Sequence, residues 1–233
     1  MATDVLIVGG GAAGVAASVV AARSGCAVTL LDSGPAIGGQ YYRGAKTPES
    51  ASGLSYAALR QDFDGLVDVG RIDLRMSTYA YALERKESGF VLRTRGDDRH
   101  RGETQSIAAR TVVIATGAFD RQLPFPGWTL PGVMSGGGAQ ALVKGSGVLP
   151  GRRIVVAGTG PFLLAVAHAL ISAGGNVVAV VEANDPLALA RHARAVLPAA
   201  GKSADLATFV SALARKRVPY LRRHRVRRAD GHG

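Results

Sequence analysis

Apolar residues gather in short runs that end on glycine or on an acid, and their spacing predicts alternating strands and helices. The first run, Asp4-Val5-Leu6-Ile7-Val8, passes straight into Gly9-Gly10-Gly11-Ala12-Ala13-Gly14. An Ala- and Val-rich stretch then predicts a helix from about Ala12 to Ser24, and a second run, Val28-Thr29-Leu30-Leu31, closes on Asp32. Strand, G-x-G-x-x-G, helix, strand and acid in this order form the pattern of a dinucleotide-binding βαβ unit. Gly9 permits the tight turn, Gly11 lets backbone N–H groups reach a pyrophosphate, and Gly14 lets the helix lie close on the strand. The N–H groups at Ala12 and Ala13 open the helix, whose partial positive charge faces the phosphates. Asp32 is placed to accept the ribose hydroxyls. The alternative is a glycine-rich turn that binds nothing.

The same pattern returns once. A shift of 149 residues lays Arg153-Ile154-Val155-Val156-Ala157-Gly158-Thr159-Gly160 over Asp4 to Gly11 and Gly174 over Gly25. The second copy then inserts one residue and ends Val177-Val178-Ala179-Val180-Val181-Glu182. Gly158, Gly160 and Glu182 are therefore the second set of nucleotide-binding candidates. The copies differ at two places: Leu163 stands at the third glycine position, and Pro161 opens the helix. If this unit is occupied, Glu182 favours NAD over NADP, since an acid repels a 2′-phosphate.

Between the repeats, Arg75–Glu84, Gly89–Arg95 and Gln105–Ala109 read as a small antiparallel meander at about 72–109, joined by polar turns. It leads into Thr111-Val112-Val113-Ile114-Ala115-Thr116-Gly117-Ala118, read as a buried strand whose Thr116-Gly117 end lets backbone pass close to a cofactor. Phe119 to Ser135, rich in proline and glycine, reads as a linker ending in a helix from about Gly138 to Lys144. Gly136-Gly137-Gly138 is not a third phosphate site, because the preceding Leu130-Pro131-Gly132-Val133 is no central strand. Trp128 has two readings, an anchor for this linker or a substrate platform.

Composition narrows the class. The chain has 233 residues, 47% of them apolar, which suits a globular fold of two modest domains. No apolar run is long enough for a membrane span, and the N-terminus passes directly into the first strand, so a cytoplasmic location is expected. A single cysteine, Cys26, fits a reducing compartment and excludes a redox cysteine pair or a four-cysteine cluster within this sequence. Five histidines are scattered without ligand spacing and no metal site is proposed; His168, in an apolar helix, reads as a partly buried core histidine. Of the net charge of +11, residues 191–233 carry +9, from eleven Lys or Arg against Asp205 and Asp230. Either this is a foot for anionic partners, or it is a solvated or covered surface. Tyr220 alone among aromatics is interleaved with it, which argues against nucleic acid.

Taken in order, Gly9-Gly10-Gly11-Ala12-Ala13-Gly14, Ile37-Gly38-Gly39-Gln40-Tyr41-Tyr42-Arg43, Ala115-Thr116-Gly117, Leu123-Pro124-Phe125-Pro126-Gly127-Trp128 and Gly158-Thr159-Gly160 carry a family resemblance. Together they resemble the pyridine-nucleotide-disulfide type of FAD/NAD(P)-dependent oxidoreductase. More narrowly, the stretch from Gly117 to Arg152 is similar to the FAD subunits of opine oxidase, hydroxyproline dehydrogenase and hydrogen cyanide synthase.

The resemblance implies FAD in the first unit, with Gly38, Gly39 and Gln40 along the cofactor and Thr116 and Gly117 closing its other side. Arg43 reaches the phosphates or flavin edge, or lies on the surface. It also implies oxidation of the C–N bond of a small amine or imino acid, such as an opine or hydroxyproline, by hydride transfer to flavin. A second flavoprotein subunit is the expected partner. No residue is assigned as catalytic base, since in such enzymes the flavin carries the chemistry.

The expected fold is therefore α/β, with two Rossmann-like dinucleotide-binding units and a β-meander inserted in the first. Residues 1–122 are read as the FAD-binding domain, 123–150 as linker and helix, and 151–233 as an incomplete second nucleotide-binding domain. Relatives of this type continue past the repeat to a late Gly-Asp motif and a cysteine-rich region, so the sequence looks like a shortened form. Asp230-Gly231 reads as a hairpin turn with no returning strand. Two other readings stay open: a nicotinamide-only dehydrogenase, and a catalytically incomplete dinucleotide-binding protein.

Overall fold

A computed structural model of the chain describes residues 3–42, 56–96, 102–185 and 200–231, without the side chains of Tyr41 and 200–205. The chain divides into two compact units, Met1–Ala118 and Phe119–Gly233. Each is built on one of the two βαβ repeats.

In the first unit β1 (Thr3–Val8) leads into α1 (Ala12–Arg23) and β2 (Val28–Leu31). A four-residue helix α2 (Gly39–Tyr42) and the longer α3 (Tyr56–Asp68) precede β3 (Ile72–Arg75). β4 (Thr78–Lys86), β5 (Gly89–Gly96) and β6 (Thr104–Ile114) complete a six-stranded sheet in the order β3-β2-β1-β6-β5-β4. Alternation along β1 divides its side chains between two cores. Ile7 joins Val15, Val19, Val28, Leu30, Phe63 and Ile72 under α1 and α3, while Leu6 and Val8 join Leu31, Leu92 and Ile107 on the opposite face. Full burial of each such side chain contributes roughly 1.5–3 kcal/mol, which fixes β1 at the sheet centre.

Three expectations are corrected here. The meander begins at Thr78, not at about 72, because Ile72–Arg75 pairs in parallel with β2. The strands read separately at Gln105–Ala109 and from Thr111 are one strand. β6 runs antiparallel to β5 up to Ala109 and parallel to β1 from there to Ile114. The polar Arg110 looked like a break, but β6 continues through it at the point where its pairing changes partner. Gly89, at φ +138°, makes room for the Ala109 carbonyl, since a Cβ there would stand 2.5 Å from that oxygen. The far end of β6 is also not buried: Thr111 is exposed and Ile114 is 69% exposed. An apolar run in sequence reports what could be buried, not which face is covered.

In the second unit, residues 119–135 hold only turns and lead to α4 (Gly136–Ser146). β7 (Ile154–Gly158), α5 (Phe162–Ser172), β8 (Val177–Glu182), α6 (Ala200–Arg215) and β9 (Tyr220–Arg222) follow, with the parallel sheet ordered β7-β8-β9. The row Val156, Val180, Tyr220 faces a core with Leu163, Val166, Leu170 and Leu213. β9 is three residues long and pairs in parallel with β8. Asp230-Gly231 forms no hairpin among the described residues. The Ala229 N–H donates to the Pro126 carbonyl at 2.8 Å, and the Asp230 carboxylate is held by Arg228.

Candidate functional site

The β1–α1 turn is shaped by two glycines that leave no room for a side chain. A Cβ on Gly14 would stand 1.8 Å from the Gly9 carbonyl oxygen, and one on Gly9, at φ +111°, would stand 2.3 Å from the Ala115 carbonyl oxygen. Gly14 therefore sets α1 directly on the turn, and Gly9 lets the end of β6, held by the Ala115 N–H to Val8 carbonyl bond at 2.8 Å, pass beside it. Gly11 is different. Its Cβ position is open except for the Gly39 Cα at 3.9 Å. Gly11 is the N-cap of α1 and has no side chain to offer the first turn, so the N–H groups of Ala12 and Ala13 open the helix uncapped.

Asp32 fastens this cradle. Its Oδ2 accepts the Gly10 N–H and its Oδ1 the Gly34 N–H, both at 2.6 Å. Across the mouth, Gly38 donates its N–H to the Gly10 carbonyl at 2.7 Å, and Gly39, at φ +58°, comes against Gly11. The structure thus brings together Gly9, Gly11, Ala12, Ala13, Gly14, Asp32, Gly38 and Gly39. Gln40 is exposed on α2 beside them, and Thr116 and Gly117 are exposed just past the residue that Gly9 meets. Arg43 lies outside the described residues. Gly10 and Gly34 were not singled out in the sequence. The Asp32-Ser33-Gly34 spacing carries the signal for Gly34, because an Asp side chain commonly accepts the N–H two residues on.

The second unit repeats the acid clamp with one residue of slippage. Val178 is the inserted residue: Ile154 pairs with Val177 but Val155 with Ala179, so Val178 bulges out of register. Glu182 accepts the Gly160 N–H at 3.0 Å and the Asn184 N–H at 3.0 Å, the counterparts of the Gly10 and Gly34 bonds. The sequence repeat sets Thr159, not Gly160, opposite Gly10; the extra methylene of glutamate reaches one residue further along the turn. Tyr220 adds an O–H bond to Glu182 at 3.4 Å, and Glu182 as a residue is only 3% exposed. Burial first, and then the Glu182 charge, push the Tyr220 phenol above its ordinary range. Gly158 admits Leu163, whose Cδ2 lies 3.2 Å from the place a Cβ would take.

The glycine run that opens α4 carries no free cradle. Its first turn is capped by Ser135, whose Oγ accepts the Gly138 N–H, and the Asp120 carboxylate accepts the Gly137 N–H at 2.5 Å. An acid is thus already seated where an anion would bind. His168 packs on Phe209, and burial, then Arg215, hold its pKa below the ordinary histidine value. Trp128 is 41% exposed in a turn. Arg215, Lys216, Arg217, Arg222, Arg223, Arg225, Arg227 and Arg228 are all exposed on the surface of this unit. Among the described residues no cluster of His, Cys, Asp and Glu could hold a metal, and no helix is long and apolar enough to cross a membrane.

Comparison with known proteins agrees with this geometry. The sequence profile of the family "Pyridine nucleotide-disulphide oxidoreductase" matches residues 3–216. An opine oxidase subunit of Rhizobium meliloti is 34% identical over 207 residues, covering 86% of this chain and 43% of its own length. Hydrogen cyanide synthase subunit HcnB of Pseudomonas aeruginosa is 37% identical, covering 82% of this chain and 41% of its own. The crystal structure of L-proline dehydrogenase from P. horikoshii superposes with a TM-score of 0.60 at 26% identity, over 78% of this chain and 35% of that one. The chain thus spans about two fifths of the length of these curated relatives.

Proposed function

Because this chain belongs to the pyridine nucleotide-disulphide oxidoreductase family, we propose that its first βαβ unit holds FAD and serves a flavin-dependent oxidoreductase. The observation that carries this reading is the cradle between Gly11 and Gly39. It is walled by glycines at Gly9 and Gly14 that cannot carry a Cβ, yet it is open at Gly11 itself. The residues present fit an adenine dinucleotide. The uncapped N–H groups of Ala12 and Ala13 offer hydrogen bonds and partial positive charge to a pyrophosphate. The carboxylate of Asp32, half-buried just past β2, fixes the turn and is an acceptor of the kind that ribose hydroxyls donate to. Gly38, Gly39 and Gln40 flank one side of the cofactor and Thr116 and Gly117 the other.

The substrate in this reading is a small amine or imino acid, such as an opine or hydroxyproline, oxidised at its C–N bond. When bound, the flavin supplies a two-electron acceptor for hydride. The protein's part is position: the β1–α1 turn holds the diphosphate end, and the α2 turn and the end of β6 fix the rest of the cofactor between them. Opine oxidase and L-proline dehydrogenase support the substrate class by name. The opine oxidase and hydrogen cyanide synthase relatives are named as subunits, which supports a partner subunit; in this reading that partner is a second flavoprotein. Residues 1–122 then form the FAD-binding domain and 151–233 a nucleotide-type second domain, joined by 123–150. Between nicotinamide dinucleotides, Glu182 favours NAD over NADP by charge. The lone Cys26 supports a cytoplasmic setting.

Anaerobic mixing of the flavin-loaded chain, alone and with a candidate partner subunit, against a panel of N-substituted amino acids and imino acids tests the reading. Bleaching of the oxidised-flavin bands by at least one of them is expected. Reduction by NADH or NADPH with no response to any amine would overturn the substrate class.

A further inference from the structure

We infer that the second βαβ unit takes no dinucleotide: its binding groups have been turned inward, and it serves as a structural copy of the first. The inference rests on the family reading, which makes both units nucleotide-type folds. Each group a dinucleotide would use can be compared with its counterpart in the same chain.

The acid differs first. The two acids accept equivalent N–H groups, Gly10 and Gly34 on Asp32 and Gly160 and Asn184 on Glu182, but Asp32 is half-buried whereas Glu182 is 3% exposed and also accepts the Tyr220 O–H. The Tyr220 phenol occupies an acceptor position that a ribose hydroxyl would need, and β9 holds it there, because Tyr220 pairs with Val180 in the sheet. A ribose could use that acceptor position only if the phenol moved away from Glu182.

The phosphate end differs as well. In the first unit the helix opens through Gly11, Ala12 and Ala13, all with an N–H. In the second, Pro161 at the N-cap has none, and the Gly160 N–H is spent on Glu182. Leu163 and Leu164 turn their N–H groups back onto the Gly160 and Pro161 carbonyls at 3.2 and 3.1 Å, tightening the first turn. Of the first-turn N–H groups among the described residues, that of Phe162 alone remains for a ligand. Leu163 occupies the helix–strand contact that Gly14 makes in the first unit, its side chain lying against Gly158. A two-phosphate group meets one donor in place of several. In this inference Glu182 fastens the turn and selects no nicotinamide dinucleotide.

NADH fluorescence titration of the full chain, first loaded with FAD, tests this. No saturable enhancement is expected in the parent protein. On the flavin-free chain, NADH binding that is lost in Asp32→Ala and unchanged in Glu182→Ala also supports the inference, since it belongs to the first unit. Saturable binding to the FAD-loaded parent that Glu182→Ala abolishes would overturn it. Failure of the chain to take up FAD, read separately from its absorption bands, counts against the flavin reading and not against this one.

Discussion

Two substitutions three residues apart separate the fold of the cradle from its use. In Gly14→Val a Cβ would lie 1.8 Å from the Gly9 carbonyl oxygen and 3.4 Å from Ile7 Cγ2. A carbon and a carbonyl oxygen settle no closer than roughly 3.3 Å, so α1 must back away from the turn by about 1.5 Å. Overpacking costs about 1–3 kcal/mol, and because backbone rather than a flexible side chain must move, the upper half of that range applies. Valine recovers only about 0.5 kcal/mol of helix propensity over glycine. The net loss of about 2 kcal/mol lowers Tm by roughly 4–8 °C for a chain of this size. Gly11→Ala is the contrast. Gly11 sits at φ −73° and ψ −179°, which any residue adopts, and the new methyl meets only the Gly39 Cα at 3.9 Å. Its stability should stay within about 0.5 kcal/mol of the parent. The methyl nevertheless stands in the opening where a pyrophosphate must come. Loss of one hydrogen bond to a charged group is worth about 1.5–3 kcal/mol, so FAD should bind about 10- to 150-fold more weakly. Thermal melts by circular dichroism and flavin retention after desalting read the two effects independently. A Gly11→Ala protein that holds FAD as tightly as the parent, or a Gly14→Val protein that melts with it, would refute the reasoning.

Asp32→Asn leaves an acceptor for only one of the Gly10 and Gly34 N–H groups and sets an NH₂ against the other; urea denaturation should show a loss of about 1–3 kcal/mol. Glu182→Gln should lower the tyrosinate transition assigned to Tyr220 by difference with Tyr220→Phe, but not to the ordinary value, since burial is the larger cause of its raised pKa. Because the folded state favours the protonated phenol, this part of the stability is present below the ordinary tyrosine range and is lost as pH rises through the raised value. His168 works in the opposite sense: its folded pKa is depressed, so stability holds above the ordinary histidine value of about 6.5 and falls as acid protonates the unfolded chain first. A His168→Leu variant should flatten that slope in melts across the acid range. Ser135→Ala removes the cap of α4 and should cost about 1 kcal/mol.

The first βαβ unit was legible because its requirements are local. A glycine that must pass a carbonyl, or an acid that closes a strand, shows in the residue type at a fixed spacing. The repeat was legible for the same reason, down to one inserted residue, although only pairing could identify it as Val178. The joining of two strands into β6 was not visible. Arg110 interrupts the apolar pattern because the strand changes neighbours there, and neighbours are set by tertiary packing. The grouping of Ile72–Arg75 with the meander failed similarly, since a short strand carries no mark of parallel or antiparallel pairing. Glu182 was read as the counterpart of Asp32 from position alone. Its burial and its bond to Tyr220 depend on β9, 38 residues further along.

The central claim is that the first unit is a flavin cradle, and the visible absorption spectrum of the purified chain before and after incubation with FAD and desalting tests it most directly. Retained oxidised-flavin bands in the parent, diminished in Gly11→Ala, are the predicted result. A chain that comes back colourless from FAD loading while melting as a folded protein would contradict it.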